Sequence, residues 1–168
     1  MAQLSSQAAE AATYGVGLVL DDGDIVLSGG RPETVSGLPN LMQALELRIL
    51  TPWGSDPINA GYGLDLRDVF TIGLSRDAMK ALIRLNLIRT VAADPRVAGL
   101  RGVLFDDDPA YLAAHPGATA PVGSDARRRA LVEIDLDPVA VGQPGATPSV
   151  AALTGSGAAL SLLTDLSW

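Results

Sequence analysis

Residues 75–105 constrain the fold more than any other segment, because a helical pattern there stops at a proline and continues directly as a strand. Apolar residues recur at helical spacing to about Ala93, on a surface wide enough to predict burial on more than one side. They include Met79, Leu82, Ile83, Leu87 and Val91. Ser75 suits the N-cap, and Pro95 disfavours helical geometry in the residue before it. A strand is predicted over Val97–Phe105, with two glycines that mark a bulge or a close backbone approach.

A second helical pattern lies earlier in the chain and begins near Leu38. Pro39 fits the first turn of a helix, where its missing N–H costs nothing. The apolar positions at helical spacing are Leu38, Leu41, Met42, Leu45 and Ile49. Pro52 and Gly54 end the pattern, and residues 55–70 are predicted to form an irregular connection.

Residues 130–137 alternate apolar and polar side chains, which is the period of a half-buried strand. This strand can pair antiparallel with Val97–Phe105 across the Asp-, Pro- and Gly-rich loop 106–124. The predicted fold class is therefore α+β, with two main helices packed on a small, mainly antiparallel sheet.

Both ends of the chain are predicted to extend this core. Residues 1–13 are small and polar, and we expect a mobile or lightly docked arm. Residues 14–27 alternate around Asp21–Asp24, which predicts an N-terminal β-hairpin. The C-terminal region carries short apolar pieces at 150–153 and 158–163, predicted as weak strands or an extended C-terminal arm. The chain thus divides into an N-terminal arm and hairpin (1–37), a core domain (38–138) and a C-terminal tail (139–168).

Composition narrows the function classes. The net charge of −7 argues against a nucleic-acid binder, since phosphate contacts need a basic face. The basic run Arg127–Arg129 is better explained as a solvated strand entry than as a phosphate patch. There is no cysteine for a disulfide or thiolate site, and no apolar run approaches the roughly 20 residues of a membrane span. We expect a soluble, cytoplasmic protein.

Candidate catalytic groups are few. The carboxylates of Asp106–Asp108 and of Glu133 could meet at strand ends, as a pair for glycoside hydrolysis must. An acidic, solvated strand end explains them equally well, and neither sits in an apolar pattern that would raise a carboxyl pKa. His115 is the single histidine and has no histidine partner. We therefore predict no enzyme, no metal and no cofactor, with a peptidoglycan-active glycosidase as the alternative.

Two turns and one tripeptide remain as candidate sites. The turn at Gly61–Gly63 lacks the lysine of a phosphate-binding loop and does not directly open a helix. The segment Asp94-Pro95-Arg96 admits two interpretations. In the first, Pro95 ends the helix and Asp94 pairs with Arg96. In the second, Pro95 holds the two charged side chains apart as a docking site for another subunit, a role that suits the planar head of arginine.

The order of these motifs resembles a known family. LMQALELRILTPWGSDPINAGYGLDL, then a long apolar helix, then DPRVAGLRGVLFDDD, is similar to the lysozyme-like baseplate wedge family of contractile tails, the gene-product-twenty-five family of T-even phages. Its relatives serve in type VI secretion, tailocins and extracellular contractile injection systems. The likeness covers about residues 38–138, and Asp94 stands where the family usually has glutamate.

The resemblance implies a structural subunit of the inner wedge layer, also called a sheath initiator. Its partners would be other wedge subunits and the sheath protein, in a six-fold assembly within a phage tail-like particle. The N-terminal hairpin lies outside the likeness, and we expect it to contact a tube or hub protein. It implies that the subunit docks on the wedge core bundle and templates the first sheath ring by strand addition. The implied partner-binding residues are Asp94, Pro95, Arg96, Trp53 and Tyr62. The implied structural turn residues are Thr51, Gly54, Gly61 and Gly63.

Overall fold

The computed structural model describes residues 2–120, 129–142 and 160–167. In chain order the helices are α1 (Ala2–Tyr14), α2 (Leu38–Leu50), α3 (Arg67–Thr71), α4 (Arg76–Ala92) and α5 (Pro109–Ala114). The short N-terminal strands are β1 (Val16–Leu18), β2 (Leu20–Asp21), β3 (Asp24–Ile25), β4 (Leu27–Ser28), β5 (Arg31–Pro32) and β6 (Thr34–Ser36). The longer strands are β7 (Val97–Phe105), β8 (Arg129–Pro138) and β9 (Leu160–Ser167).

The main sheet is antiparallel, in the order β7-β8-β9. Helix α4 contacts β7, and α2 contacts both α4 and β9. The predicted α+β class is therefore confirmed, as is the antiparallel pairing of β7 with β8. The register in which β7 pairs with β8 shifts between Val97 and Gly99 and again between Leu100 and Gly102. Both glycines therefore lie at the predicted irregularities.

The core lies between these two helices and the sheet. It is built almost wholly from aliphatic side chains, with Phe105 as its largest fully buried member. Its helical members are Leu41, Leu45, Ile49, Ile83, Leu87 and Val91, and its strand members include Val97, Val103, Val132, Ile134, Leu136, Leu162 and Leu166. The periodic apolar positions of the sequence are thus the positions that pack together.

The ends of α2 and α4 follow the predicted signals. Pro39 lies in the first turn of α2. Ser75 caps α4, its hydroxyl oxygen accepting a hydrogen bond from the Ala78 N–H, and Asp77 lies in the first turn, where the helix dipole favours a carboxylate. Helix α4 ends at Ala92, just before Asp94 and Pro95, as predicted.

The segment predicted as a mobile or lightly docked arm forms helix α1 from Ala2 onward, and the sequence analysis did not predict this helix. The alanines in this segment are strong helix formers, and α1 is held at its C-terminal end. Tyr14 is buried, and its hydroxyl donates to the Val139 carbonyl oxygen at 2.6 Å. The contact partner lies 125 residues away in sequence, so local patterning could not indicate it.

The predicted N-terminal hairpin is present as one arm of a larger unit. Asp22 and Gly23 have positive φ (49° and 86°) and connect β2 to β3, as a tight hairpin turn requires. A second hairpin pairs β4 with β5, and β1 pairs with β6. The three pairs meet where the N–H groups of Val19, Val26 and Glu33 donate in a ring to the carbonyls of Glu33, Val19 and Val26. We call residues 16–36 the three-armed β-cluster.

The C-terminal region follows one of its two predicted alternatives. Residues 160–167 form β9, a regular strand of the main sheet rather than an extended arm, and the predicted piece at 150–153 lies outside the described residues. Leu162, Thr164 and Leu166 alternate toward the core, so β9 completes the sheet's buried face. The irregular loops 55–70 and 106–124 contain the short helices α3 and α5.

Candidate functional site

The two predicted turns are joined by backbone hydrogen bonds. The Leu64 N–H donates to the Thr51 carbonyl at 2.8 Å, and the Trp53 N–H donates to the Leu64 carbonyl at 3.0 Å. A parallel bridge pairs Pro52 with Leu64 at the same place. The turn that follows α2 and the turn at Gly61–Gly63 therefore form one unit, which we call the double turn (residues 51–64).

Gly63 allows the two turns to approach each other. A Cβ at this position would overlap the Thr51 carbonyl oxygen and the backbone of Pro52, and φ is +109°. Gly54 has φ +75° but open space around it, so it serves only the turn's conformation. At Gly61 a Cβ would meet the Trp53 ring edge at 3.9 Å, an ordinary contact. Of the predicted turn residues, Gly63 is thus the one that geometry requires to be glycine.

Tyr62 and Trp53 differ in their placement. The Tyr62 hydroxyl donates to the Ala44 carbonyl at 3.4 Å, and the Arg48 guanidinium lies 4.7 Å from the ring centroid. Burial raises the pKa of Tyr62, and Arg48 opposes that rise. Trp53 is 42% exposed and is the only aromatic of the double turn that offers a wide face to a partner.

Asp94 and Arg96 form a two-point ion pair. The Arg96 Nε donates to Asp94 Oδ1 at 2.9 Å, and its Nη2 donates to Asp94 Oδ2 at 2.8 Å. Burial raises the pKa of Asp94, but the hydrogen bonds and charge of Arg96 outweigh it, so the pKa lies below its ordinary value. The same pair raises the pKa of Arg96. The carboxylate is therefore ionised and fully engaged within the chain.

Arg96 also binds the C-terminal end of α1. Arg96 Nη1 donates to the Tyr14 carbonyl at 2.9 Å, and the Asn40 side-chain amide donates to the same oxygen at 2.9 Å. One carbonyl thus joins the end of α1, the first turn of α2 and the segment after α4. Sequence analysis missed Tyr14 and Asn40, because the only sequence signal is a polar residue, Asn40, on the buried face of α2.

This geometry decides between the two interpretations of Asp94-Pro95-Arg96. The interpretation that Pro95 holds the charged side chains apart is wrong, since they contact each other directly. Asp94 is only 4% exposed, whereas Arg96 keeps 25% of its side chain accessible. Arg96, not Asp94, is the member that can also reach a partner, and its partner-binding role stays a prediction.

A groove of about 320 Å³ runs between the double turn and one flank of α4. It is lined by Arg48, Trp53, Gly61, Gly63, Asp65, Asn86, Arg89, Thr90 and Ala93. Asp65 is paired with Arg67, and the Asn86 amide donates to the Asp65 carbonyl at 2.6 Å. Within the described part of the chain, neither Arg48 nor Arg89 makes an ion pair. The groove is therefore positively charged, with an aromatic wall.

The acidic cluster after β7 is built for ion pairing. Lys80 Nζ lies 2.6 Å from carboxylate oxygens of both Asp107 and Asp108, and Arg76 and Arg84 each bind one of them. Burial raises the pKa of both aspartates, but these cations outweigh it and hold each pKa below the ordinary value. A glycosidase acid needs the opposite shift.

The remaining carboxylate candidate, Glu133, contacts two polar side chains. Its Oε1 accepts a hydrogen bond from the Ser161 hydroxyl at 2.7 Å, and its Oε2 lies 3.7 Å from the His115 Nε2. Both contacts are with polar side chains, whereas the general acid of a glycosidase sits in an apolar pocket. No observation at these residues favours the glycosidase alternative.

No family model, no curated protein and no solved structure matches the chain. Among residues 2–120, 129–142 and 160–167, no group of three or more histidine, aspartate or glutamate side chains could hold a metal ion. In the same residues, no helix combines the length and apolar character that crossing a membrane requires.

Proposed function

We propose that this chain is a structural baseplate subunit of a contractile injection machine, placed in the inner wedge layer. The observation that carries the proposal is that motifs far apart in the sequence lie close together in the fold. The double turn and the Asp94–Arg96 pair are separated by about thirty residues in sequence, yet the end of α4 next to Asp94 lies against the double turn. The Thr90 hydroxyl donates to the Gly63 carbonyl at 3.4 Å, and Ala93 lines one groove with Trp53. The motifs that resemble the wedge family therefore form one surface region.

The sheet supplies the second part of the proposal. Strand β9 is an outer strand of the main sheet, and among the described residues nothing pairs with its outward edge. An unpaired edge offers a row of N–H and C=O groups to which a strand of another protein can add. We assign this edge to the first ring of the sheath, so that the subunit would start sheath polymerisation.

The exposed members of the site supply the third part. Trp53 presents an aromatic face, and Arg96 keeps 25% of its side chain accessible. Aromatic and arginine side chains are the residue types that most often dominate protein interfaces. We assign this region to the wedge subunits, and the three-armed β-cluster to a tube or hub protein.

Cryo-electron microscopy of particles that copurify with the tagged chain tests the proposal. The expected result is a six-fold ring of this subunit at the base of a contractile particle, with a sheath strand added to β9. Leu163→Lys, on the exposed face of β9, should leave the ring in place but reduce sheath attachment, and Leu163→Thr is the matched control. Particles without the chain, or sheath attached elsewhere, would refute the role.

A further inference from the structure

Helix α4 carries a second apolar stripe on the side that faces away from the core. Leu85 and Ile88 are 42% and 38% exposed, and the exposed alanines 78, 81 and 92 continue the stripe along the helix. At 3.6 residues per turn, Leu85 lies about 200° around the helix from Ile83, which is buried in the core. The rest of α4 packs against β7, α2 and α3, as the wide apolar surface of the sequence predicts, and this stripe is the part that the described chain leaves uncovered.

The spacing of this stripe is that of a helix-pairing seam. Ala78, Ala81, Leu85, Ile88 and Ala92 follow one another at intervals of three, four, three and four residues. This is the a/d repeat of a coiled coil, in which each side chain packs into a hole formed by the facing helix. Leu85 and Ile88 form the central anchors, and the exposed alanines on either side add a smaller apolar area. We call these five residues the α4 seam.

A positively charged side chain beside the α4 seam indicates which kind of helix would bind there. Arg89 flanks Leu85 and Ile88 at a position equivalent to e of the heptad, and it also lines the groove that Arg48 and Trp53 form with α4. Neither arginine has an ion-pair partner in the described chain, and the groove's one carboxylate, Asp65, is bound to Arg67. A facing helix would therefore gain most from carboxylates along the flank nearest Arg89.

A second copy of the chain is a poorer match than such a helix. In a parallel pair of α4 helices, position g of one faces position e of the other, which would bring Arg84 next to Arg89. Arg84 is already paired with Asp108, so a second copy offers Arg89 no carboxylate partner. A second copy would therefore place an arginine where a carboxylate could pair with Arg89.

We propose that the α4 seam is the docking site for one amphipathic helix of another protein, with apolar a and d positions and acidic flanking residues. The inference rests on the proposed function only in that both require the chain to bind other proteins.

The direct test uses a designed probe and the whole chain. A fluorescent four-heptad peptide with Leu at a and d and Glu at e and g should bind, and fluorescence anisotropy would measure its affinity. A twin peptide with Lys at e and g should bind at least about tenfold more weakly at low salt, and the difference should shrink as salt screens the charges.

Variants locate the binding surface. Leu85→Glu with Ile88→Glu should weaken binding of the Glu peptide by at least about tenfold, because both central anchors are lost. Ile25→Glu with Leu27→Glu is the matched control, since the same two residue types are exchanged at positions that are even more exposed but lie in the three-armed β-cluster. Ala81→Leu should strengthen binding, a gain that misfolding cannot produce. Arg89→Glu should reverse the preference between the two peptides.

Three outcomes would overturn the inference. The first is that the Glu peptide does not bind, and the second is that the control double variant loses as much peptide affinity as the seam double variant. The third is a dimer in sedimentation that Leu85→Glu with Ile88→Glu dissociates, because a second copy would then be the occupant. The outcome for the baseplate role is separate. Normal particles with no peptide binding would refute the seam alone, and peptide binding by a chain absent from particles would refute the baseplate role alone.

Discussion

Asp94 and Arg96 bind each other at two points across a single proline, and the free end of the same guanidinium holds the last carbonyl of α1. The pair therefore closes the C-terminal end of α4 and ties α1 to the core. A segment that resembles a docking motif is also a structural joint, and experiments on docking must separate the two effects.

Replacing Arg96 with alanine should lower the free energy of unfolding by about 2–4 kcal/mol. The change leaves the buried Asp94 carboxylate without its partner. Because Arg96 is partly exposed, the loss should lie near the lower end of the range that is typical when a buried ion pair loses one member. Arg101→Ala is the matched control, because Arg101 is about half exposed and its pair with Asp137 should contribute less than the Asp94–Arg96 pair. Urea denaturation of both variants measures the difference, and equal losses would contradict a structural role.

Acid should destabilise the protein through the same aspartate. The folded-state pKa of Asp94 lies below its ordinary value of 3.8, so the stabilisation is fully present above that pH. It is lost as the pH falls through the lower, folded-state pKa. Asp94→Asn should be less stable at neutral pH, and its free energy of unfolding should fall less steeply below about pH 4. Denaturation curves across this range would test the sign, and parallel curves for the two proteins would contradict it.

Alanine at Gly63 should destabilise the double turn. Both the positive φ and the overlap with the Thr51 carbonyl oppose a Cβ, and we expect a loss of at least about 2 kcal/mol. Gly54→Ala isolates the backbone effect, since its φ is also positive but its surroundings are open, and it should cost about 1 kcal/mol. Thermal unfolding of the pair gives the comparison, and a larger loss at Gly54 would show that crowding at Gly63 is unimportant.

Removing the Tyr14 hydroxyl should loosen α1. Tyr14→Phe deletes a buried 2.6 Å hydrogen bond and leaves the Val139 carbonyl without that donor, for a loss of about 1–2 kcal/mol. Tyr62→Phe deletes a weaker 3.4 Å hydrogen bond and should cost less than about 0.5 kcal/mol. Hydrogen exchange of α1 amides is the readout, and it should accelerate only in Tyr14→Phe.

The elements that the sequence predicted well are those whose evidence is local. The apolar periods of α2, α4, β7 and β8, the Ser75 cap and the Pro95 stop each act within a few residues, so the pattern suffices. By contrast, α1 has little apolar patterning, and its anchor is a contact between Tyr14 and Val139. The place of β9 depends on its register with β8, which no pattern within β9 specifies.

The same division applies to the site. The sequence identified the turns and the charged tripeptide as special, because glycine and proline have specific backbone preferences. It could not show that Leu64 bonds to Thr51, or that Arg96 reaches Tyr14 82 residues away, since both depend on the packed arrangement of the helices. Local chemistry thus identifies which residues matter, and tertiary packing decides what each one contacts.

Replacing Thr164 with valine should stabilise the protein by about 1 kcal/mol. The hydroxyl of Thr164 is buried on the core face of β9 and has no hydrogen-bond partner in the described chain. Valine has nearly the same shape and an equal preference for strands, so the change removes an unpaired polar group at little other cost.

Thr90→Val is the matched control, because the Thr90 hydroxyl is also buried but donates to the Gly63 carbonyl at 3.4 Å. That substitution should be neutral or destabilising by up to about 1 kcal/mol. Urea denaturation at one pH compares the two. Destabilisation by Thr164→Val would mean that its hydroxyl has a partner after all, and that β9 meets the core differently from the arrangement described.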